Sequence, residues 1–98
     1  MFRHVLLMTV RPDATTVEVA GLVAALRALP GKIPEIASYH VGQDLGLRDG
    51  NATLALVAAF VDEAAWRAYL AHPAHRAVVT DHVEPVVADR QSAQFTDD

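Results

Sequence analysis

The first residues of the chain are rich in β-branched and aliphatic side chains and predict a strand over Phe2–Val10, ending before Pro12. Alternation along a strand divides its side chains between two faces. One face carries Phe2, His4, Leu6, Met8 and Val10, and the other carries Arg3, Val5, Leu7 and Thr9. Both faces of this strand are therefore largely apolar.

A helix is predicted after this strand. Thr15 and Glu18 have the spacing of a capping box, in which each side chain bonds the backbone N–H of the other residue. Apolar residues then recur at helical spacing, at Leu22, Ala25, Leu26 and Leu29. The dipeptide Pro30-Gly31 ends the helix.

Two further strands are predicted in the middle of the chain. Residues 37–41 form a short strand, and residues 43–51 form a loop rich in glycine, aspartate and asparagine. Residues 52–60 are almost continuously apolar, which is typical of a central strand buried on both faces.

The last third of the chain predicts two helices and an edge strand. Asp62 is placed to cap a helix that carries Trp66 and Tyr69 on its inner side. Pro73 suits the first turn of another helix, and Pro85 disturbs that helix near its end. The polar residues 89–95 predict an edge strand, and residues 96–98 predict a frayed tail.

The element order is β-α-β-β-α-β, which predicts a single α+β domain over residues 1–98 with a ferredoxin-like, four-stranded antiparallel sheet and helices on one face. The helices cover one face, yet the first and third strands are apolar on both. We expect the open face to expose Leu6, Met8 and alternate residues of strand three, and monomers rarely expose such a patch. The pattern therefore predicts a homodimer packed sheet to sheet.

Composition narrows the function classes. The chain has 98 residues, 52% of them hydrophobic, a net charge of −4 and no cysteine. Eight scattered basic residues disfavour nucleic acid as a partner, and disulfides and thiolate metal sites are excluded. No apolar run approaches the roughly 18 residues of a membrane span, and no signal-peptide cleavage site follows the N-terminus. We expect a cytoplasmic protein without a membrane partner.

The candidate chemistry lies in the run Tyr69-Leu70-Ala71-His72-Pro73-Ala74-His75, together with His4 on the first strand. A titratable ring on an apolar strand is costly unless it is paired. An imidazole can also exchange protons near neutral pH. If the fold brings His4 and His75 together, the two form a proton-exchanging site.

The chain resembles the stress-responsive A/B barrel (Dabb) family, one of the dimeric α/β-barrel groups. The resemblance covers nearly the whole chain, and its most specific part is the His-Pro-x-His run after a tyrosine, combined with a histidine on the first strand. Supporting positions are Val5 to Met8, Ala25-Leu26, Leu29 to Pro34, Tyr39, Val41-Gly42, Asp62-Glu63, Pro85 and Asp89-Arg90.

The resemblance implies a ferredoxin-like subunit and a dimer whose two sheets enclose a barrel. Some plant members are similar to cofactor-free aldol cyclases, in which the residues matching His4 and His75 are the acid/base pair and tyrosines such as Tyr69 line the pocket. Two other polar pocket positions of those cyclases are matched by Leu26 and Leu54. The pocket of this chain is therefore expected to be more apolar.

Each candidate also has a purely structural interpretation. His4 is either a general base or a buried histidine bonded to a backbone carbonyl or a neighbouring side chain. His75 either lines the pocket or locks the junction between two helices. His72 suits that junction because it precedes a proline and can cap the next helix. Tyr69 is a core residue whose hydroxyl needs a partner. It belongs to the site if that partner is His4, His75 or a ligand.

A metal or cofactor site is not expected. His72 and His75 form an H-x-x-H pair, but nothing nearby supplies the three or four protein ligands that zinc needs. Two hypotheses follow. In the first, a homodimer binds a small carbonyl-containing or aromatic compound in an apolar pocket, with His4 removing a proton and His75 or Tyr69 stabilising the enolate oxygen. In the second, the protein is a non-catalytic, stress-associated dimer with structural histidines. A weaker third idea is a cofactor-free oxygenase.

Overall fold

The computed structural model describes residues 1–97. Its strands are β1 (Phe2–Val10), β2 (Ser38–Gln43), β3 (Leu54–Phe60) and β4 (Val87–Thr96). Its helices are α1 (Thr16–Arg27), α2 (Glu63–Ala71), α3 (Pro73–Val78) and the short α4 (Glu84–Val86). The four strands form one antiparallel sheet in the order β2-β3-β1-β4, which confirms the predicted ferredoxin-like α+β fold.

The beginning of α1 follows the sequence prediction. The Glu18 backbone N–H donates to Thr15 Oγ1 at 3.1 Å, and the Thr15 backbone N–H donates to Glu18 Oε1 at 2.9 Å. The buried residues of α1 are Val19, Leu22, Val23 and Leu26. The helix is followed by a 3₁₀ turn, Leu29–Gly31, because Pro30 cannot donate a backbone hydrogen bond to continue it.

The segment before β4 differs from the single helix that the sequence predicts. The helix α3 passes into a π-helical turn, Val79–Val83, and then into α4. In this turn the Glu84 backbone N–H donates to the carbonyl oxygen of Val79, five residues earlier. Pro85 has no N–H and its ring would press on the preceding α-helical turn, so the wider turn accommodates it.

The two faces of β1 are the reverse of what the sequence analysis expected. His4 is 6% exposed and Met8 is fully buried, because their face lies against the helices and belongs to the core. The open face of the sheet carries Leu7 and Val57 instead, which are 43% and 41% exposed. The expectation that Leu6, Met8 and His4 lie on the open face is therefore wrong.

The ends of the chain are held together as far as the structure describes them. Thr96 belongs to β4, and the Arg3 guanidinium donates to Asp97 Oδ1 at 3.0 Å. The predicted frayed tail is therefore wrong for residues 96 and 97, and residue 98 lies outside the described residues. Within residues 1–97, no helix combines the length and the apolar character needed to cross a membrane.

Candidate functional site

The break between α2 and α3 places the ring of His75. Pro73 disfavours helical geometry in the residue before it, and His72 has an extended backbone with ψ of 135°. His72 Nδ1 caps α3 by accepting from the Ala74 backbone N–H at 3.0 Å. In a continuous helix that N–H would bond the carbonyl oxygen of Leu70, four residues earlier. The break therefore leaves the Leu70 carbonyl free for another donor.

That donor is His75, whose Nδ1 lies 3.2 Å from the Leu70 carbonyl oxygen. A carbonyl only accepts, so Nδ1 carries the proton in this bond. The Nε2 atom of the neutral ring is then unprotonated and can accept a hydrogen bond or a proton. The sequence around Pro73 thus sets the tautomer as well as the position of His75.

His4 has a partner that the sequence analysis did not identify. Gln94 on β4 lies opposite His4 on β1, and its Nε2 is 3.0 Å from His4 Nδ1. An amide NH₂ group donates, so Nδ1 accepts and the neutral ring carries its proton on Nε2. His4 and His75 are therefore held in opposite tautomers.

Tyr69 lies beside both histidines but bonds neither of them. Its ring centroid is 4.4 Å from that of His75 and 6.4 Å from that of His4. Its hydroxyl lies 2.7 Å from the hydroxyl of Tyr39 on β2. Tyr39 is thus the partner of this buried hydroxyl, and the Tyr69 ring contributes to the wall of the cavity near both imidazoles.

These three residues line one cavity of about 530 Å³ between the sheet and the helices. Much of its remaining wall is apolar and comes from four elements, with Leu6, Met8, Leu26, Leu56, Val79 and Val83 as contributors. Leu26 is one of the two leucines that the resemblance placed in the pocket. Leu54, the other, is buried in the core on the same side of the sheet, opposite Met8, but does not line this cavity. Val79 and Val83 are the ends of the π-helical turn, so this irregular turn shapes the cavity wall.

Both imidazoles have a pKa below the ordinary value of 6.5, which favours the neutral form. Burial lowers the pKa of His4, and the neighbouring charge of His75 lowers it further. Burial also lowers the pKa of His75, against the opposing effect of its bond to Leu70, while the positive charge of Arg90 adds to the lowering. Burial raises the pKa of the Tyr69 hydroxyl, which therefore stays protonated.

Four residues of the cavity that have hydrogen-bonding side chains were not predicted as site residues. Gln94, Ser92 and Arg90 alternate along β4 and lie opposite His4, Leu6 and Met8. Trp66, predicted only to lie on the inner side of its helix, also lines the cavity, with its ring centroid 5.8 Å from that of His4. Its buried indole N–H has no hydrogen-bond partner among residues 1–97. Polar residues at every second position of β4 were the sequence pattern that could have identified Arg90, Ser92 and Gln94.

The structure offers no metal centre in its described part. Among residues 1–97, no group of three or more histidine or acidic side chains is placed to hold an ion. Both histidines of the H-x-x-H pair make hydrogen bonds to nearby backbone groups: Nδ1 of His72 caps α3, and Nδ1 of His75 bonds the Leu70 carbonyl.

Comparisons with known proteins agree with this architecture. The model of the stress responsive A/B barrel domain matches residues 2–97. A dimeric ferredoxin-like protein of unknown function from Thermobifida fusca is 40% identical, with a TM-score of 0.89 over 97% of this chain and 89% of that one. A second dimeric protein of unknown function, from Bacteroides fragilis, is 23% identical, with a TM-score of 0.87 over 98% and 95%.

A structure of hydroxynitrile lyase from Passiflora edulis has the same fold at 17% identity, with a TM-score of 0.86 over 99% of this chain and 93% of that one. None of the curated proteins matches this sequence.

Proposed function

Because this chain belongs to the stress-responsive A/B barrel domain family, we propose that it binds a small carbonyl compound in the cavity between sheet and helices and exchanges a proton next to the carbonyl. The observation that carries this proposal is the bond from His75 Nδ1 to the Leu70 carbonyl. It leaves an unprotonated Nε2 in a largely apolar cavity that His4 also lines.

His75 is the proposed general base. Its Nε2 accepts the proton from the carbon next to the carbonyl, and the electron pair of the broken C–H bond moves onto the carbonyl oxygen as an enolate. Base catalysis is efficient when the pKa of the base lies near the working pH. A lowered pKa keeps most His75 rings unprotonated at pH 7.

His4 is the proposed hydrogen-bond donor to the enolate oxygen. Its Nδ1 is occupied by Gln94, so the proton on Nε2 is available for the developing negative charge. These roles are the opposite of those expected from the sequence, where His4 was the base and His75 or Tyr69 stabilised the enolate oxygen. Tyr69 supports both rings by packing rather than by donating, because its hydroxyl is bonded to Tyr39.

The apolar wall supports both the ligand class and the chemistry. A cavity of about 530 Å³ lies in the range of small-molecule sites, roughly 300 to 1,000 Å³. Hydrogen bonds to a developing charge are stronger where water is excluded. The hydroxynitrile lyase from Passiflora edulis has this fold and is an enzyme by its name. The fold is therefore compatible with catalysis, while the reaction of this chain is argued from its own residues.

We also propose that the chain forms a homodimer through the open face of its sheet. Leu7, Val57 and Phe95 lie on this face and are substantially exposed. Apolar patches of this kind are usually covered by a partner. Both similar proteins of unknown function are described as dimeric. Because the cavity lies on the opposite side of the sheet, such a dimer leaves it accessible.

Deuterium exchange tests the proposed proton transfer without a known substrate. Phenylacetone is incubated in D₂O with the protein, and loss of the proton signal next to its carbonyl is followed by NMR. We expect exchange above the buffer rate, loss of that excess in His75→Asn, and a reduced rate in His4→Leu. The variant His40→Asn, whose exposed residue lies outside the cavity, is the matched control and should exchange like the natural chain.

The rival hypothesis is a non-catalytic dimer in which His4 and His75 only stabilise the fold. It predicts that His75→Asn lowers the melting temperature while phenylacetone exchanges at the buffer rate with every variant. A thermal-shift screen of small ketones on the same variants completes the comparison. Ketones that stabilise the natural chain and the His75→Asn variant equally would also favour the structural interpretation.

A further inference from the structure

Arg90 is exposed and contributes a positive charge to the wall of a cavity that is otherwise neutral. It lies on β4 opposite Met8, so it is on the side of the sheet that faces the helices. It lines the same cavity as His4 and His75. The cavity wall includes no aspartate or glutamate. The open-face dimer proposed above would cover the other side of the sheet and leave Arg90 accessible.

Three of the seven arginines have no hydrogen-bond or ion-pair partner within residues 1–97, namely Arg48, Arg76 and Arg90, and of these three it is Arg90 that lines the cavity. Arg3, Arg11, Arg27 and Arg67 each donate to a carboxylate or a backbone carbonyl. Arg90 makes no such bond within residues 1–97. Glu84 and Asp89 share a smaller neighbouring cleft with it, but neither forms an ion pair with it in the described chain.

We infer that the ligand of this cavity is an organic carboxylate with an apolar body, and that Arg90 binds its carboxylate group. The inference rests on the proposed function and specifies its substrate class as a keto acid. A guanidinium presents paired N–H donors that match the two oxygens of a carboxylate. Leu26 and Val79 supply apolar surface for the body of the ligand.

The spacing along β4 further restricts this class. Arg90 and Gln94 lie on the same face of β4, four residues apart, and Gln94 is the residue that bonds His4. This separation along a strand places their backbone positions roughly 13 Å apart. Part of that distance is spanned by the arginine side chain itself. The carboxylate is therefore expected some bonds away from the reacting carbonyl, as in a 4-oxo acid, rather than adjacent to it.

The charge of Arg90 also links ligand binding to the base. Its positive charge contributes to the lowered pKa of His75 in the free protein. A bound carboxylate offsets that charge. Binding of the acid therefore makes His75 a stronger base at the moment when the substrate is present.

Trp66 makes the inference measurable, because it is the single tryptophan of the chain and lines the cavity. Quenching of its fluorescence is titrated with 4-oxo-4-phenylbutanoate and with the corresponding neutral amide, 4-oxo-4-phenylbutanamide. We expect the natural chain to bind the acid about tenfold more tightly than the amide, the size expected for one charge-assisted contact. Arg90→Gln should lose that preference and still bind the amide normally.

Lys32→Gln is the matched control, since it removes one exposed positive charge outside the cavity and should keep the full preference. Equal affinities for acid and amide in the natural chain would overturn the role of Arg90 while leaving the cavity itself as a ketone site. A preference that persists in Arg90→Gln would overturn it as well. If neither compound quenches Trp66, both the keto-acid inference and the proposed ligand class fail.

Discussion

His75 Nδ1 and the carbonyl oxygen of Leu70 lie 3.2 Å apart across the break between α2 and α3. The bond exists because His72, extended before Pro73, takes the Ala74 backbone N–H that would otherwise bond Leu70. A run of six residues thus ends one helix, begins the next and orients an imidazole. The structural and functional interpretations of the His-Pro-x-His run are therefore connected rather than exclusive.

The first prediction concerns the tautomers of the two cavity histidines. Nitrogen-15 NMR of histidine-labelled protein at pH 7 should show His75 protonated on Nδ1 and His4 protonated on Nε2, because Leu70 accepts from one ring and Gln94 donates to the other. Gln94→Leu should change the His4 signals and leave those of His75 in place. A His75 ring protonated on Nε2 in the natural chain would remove the basis for its proposed role as a base.

The fold could be predicted from sequence because its signals are local. The capping box at Thr15, the break at Pro73 and the apolar run of β3 each depend on neighbouring residues. The π-helical turn was not predicted, since Pro85 indicates a disturbance but not which wider turn relieves it. Which face of β1 meets the helices also could not be decided, because both faces are apolar and a strand pattern does not reveal where the helices pack.

The site was only partly predictable for the same reason. His4, Tyr69 and His75 were chosen by residue type and by the family resemblance, and they line one cavity. Gln94 and Arg90 required the register of β4 against β1, which depends on pairing between residues about ninety positions apart. No local pattern sets that register. The proposed exchange of roles between the two histidines likewise depends on hydrogen-bond partners that only the folded chain brings together.

The second prediction is a loss of stability in mild acid. The folded chain lowers the pKa of both His4 and His75 below the ordinary value of 6.5. Between the lowered and ordinary values the unfolded chain binds more protons, so the free energy of unfolding rises with pH in that window. Stability should therefore fall as the pH decreases from 7 to 5, as measured by urea unfolding.

The double variant His4→Gln/His75→Gln tests whether the two cavity histidines cause that pH dependence. It lacks both buried rings, so its free energy of unfolding should change less between pH 7 and pH 5 than that of the natural chain. An unchanged slope in the double variant would mean that other groups, and not the cavity histidines, are responsible.

The third prediction concerns the open face of the sheet. Val57 is 41% exposed in the single chain, so Val57→Lys should fold but place a charge in the proposed interface. We expect a dimer for the natural chain and a monomer for Val57→Lys by size-exclusion chromatography with light scattering. Val17→Lys, on an exposed position of α1, should remain dimeric. A dimer that survives Val57→Lys would place the interface elsewhere.

The last prediction concerns the hydrogen bond between the hydroxyl groups of Tyr39 and Tyr69. Tyr39→Phe leaves the buried hydroxyl of Tyr69 without its partner, and Tyr69→Phe does the same to Tyr39. An unpaired buried polar group costs about 1–3 kcal/mol, whereas removing both groups of a bond is nearly neutral. Urea unfolding should therefore show that the double variant is destabilised by less than the sum of the two single variants.

A second pair of substitutions, Thr15→Ala with Tyr39→Phe, is the control that distinguishes coupling between the tyrosines from a general loss of stability. Thr15→Ala removes the cap of α1 and shares no hydrogen bond with Tyr39, so its effect should add to that of Tyr39→Phe. Additive effects of the two tyrosine substitutions would contradict the hydroxyl bond. Coupling confined to the tyrosine pair would instead support a Tyr69 hydroxyl that is bonded to Tyr39, and with it the proposal that His4 and His75, rather than Tyr69, exchange protons in the cavity.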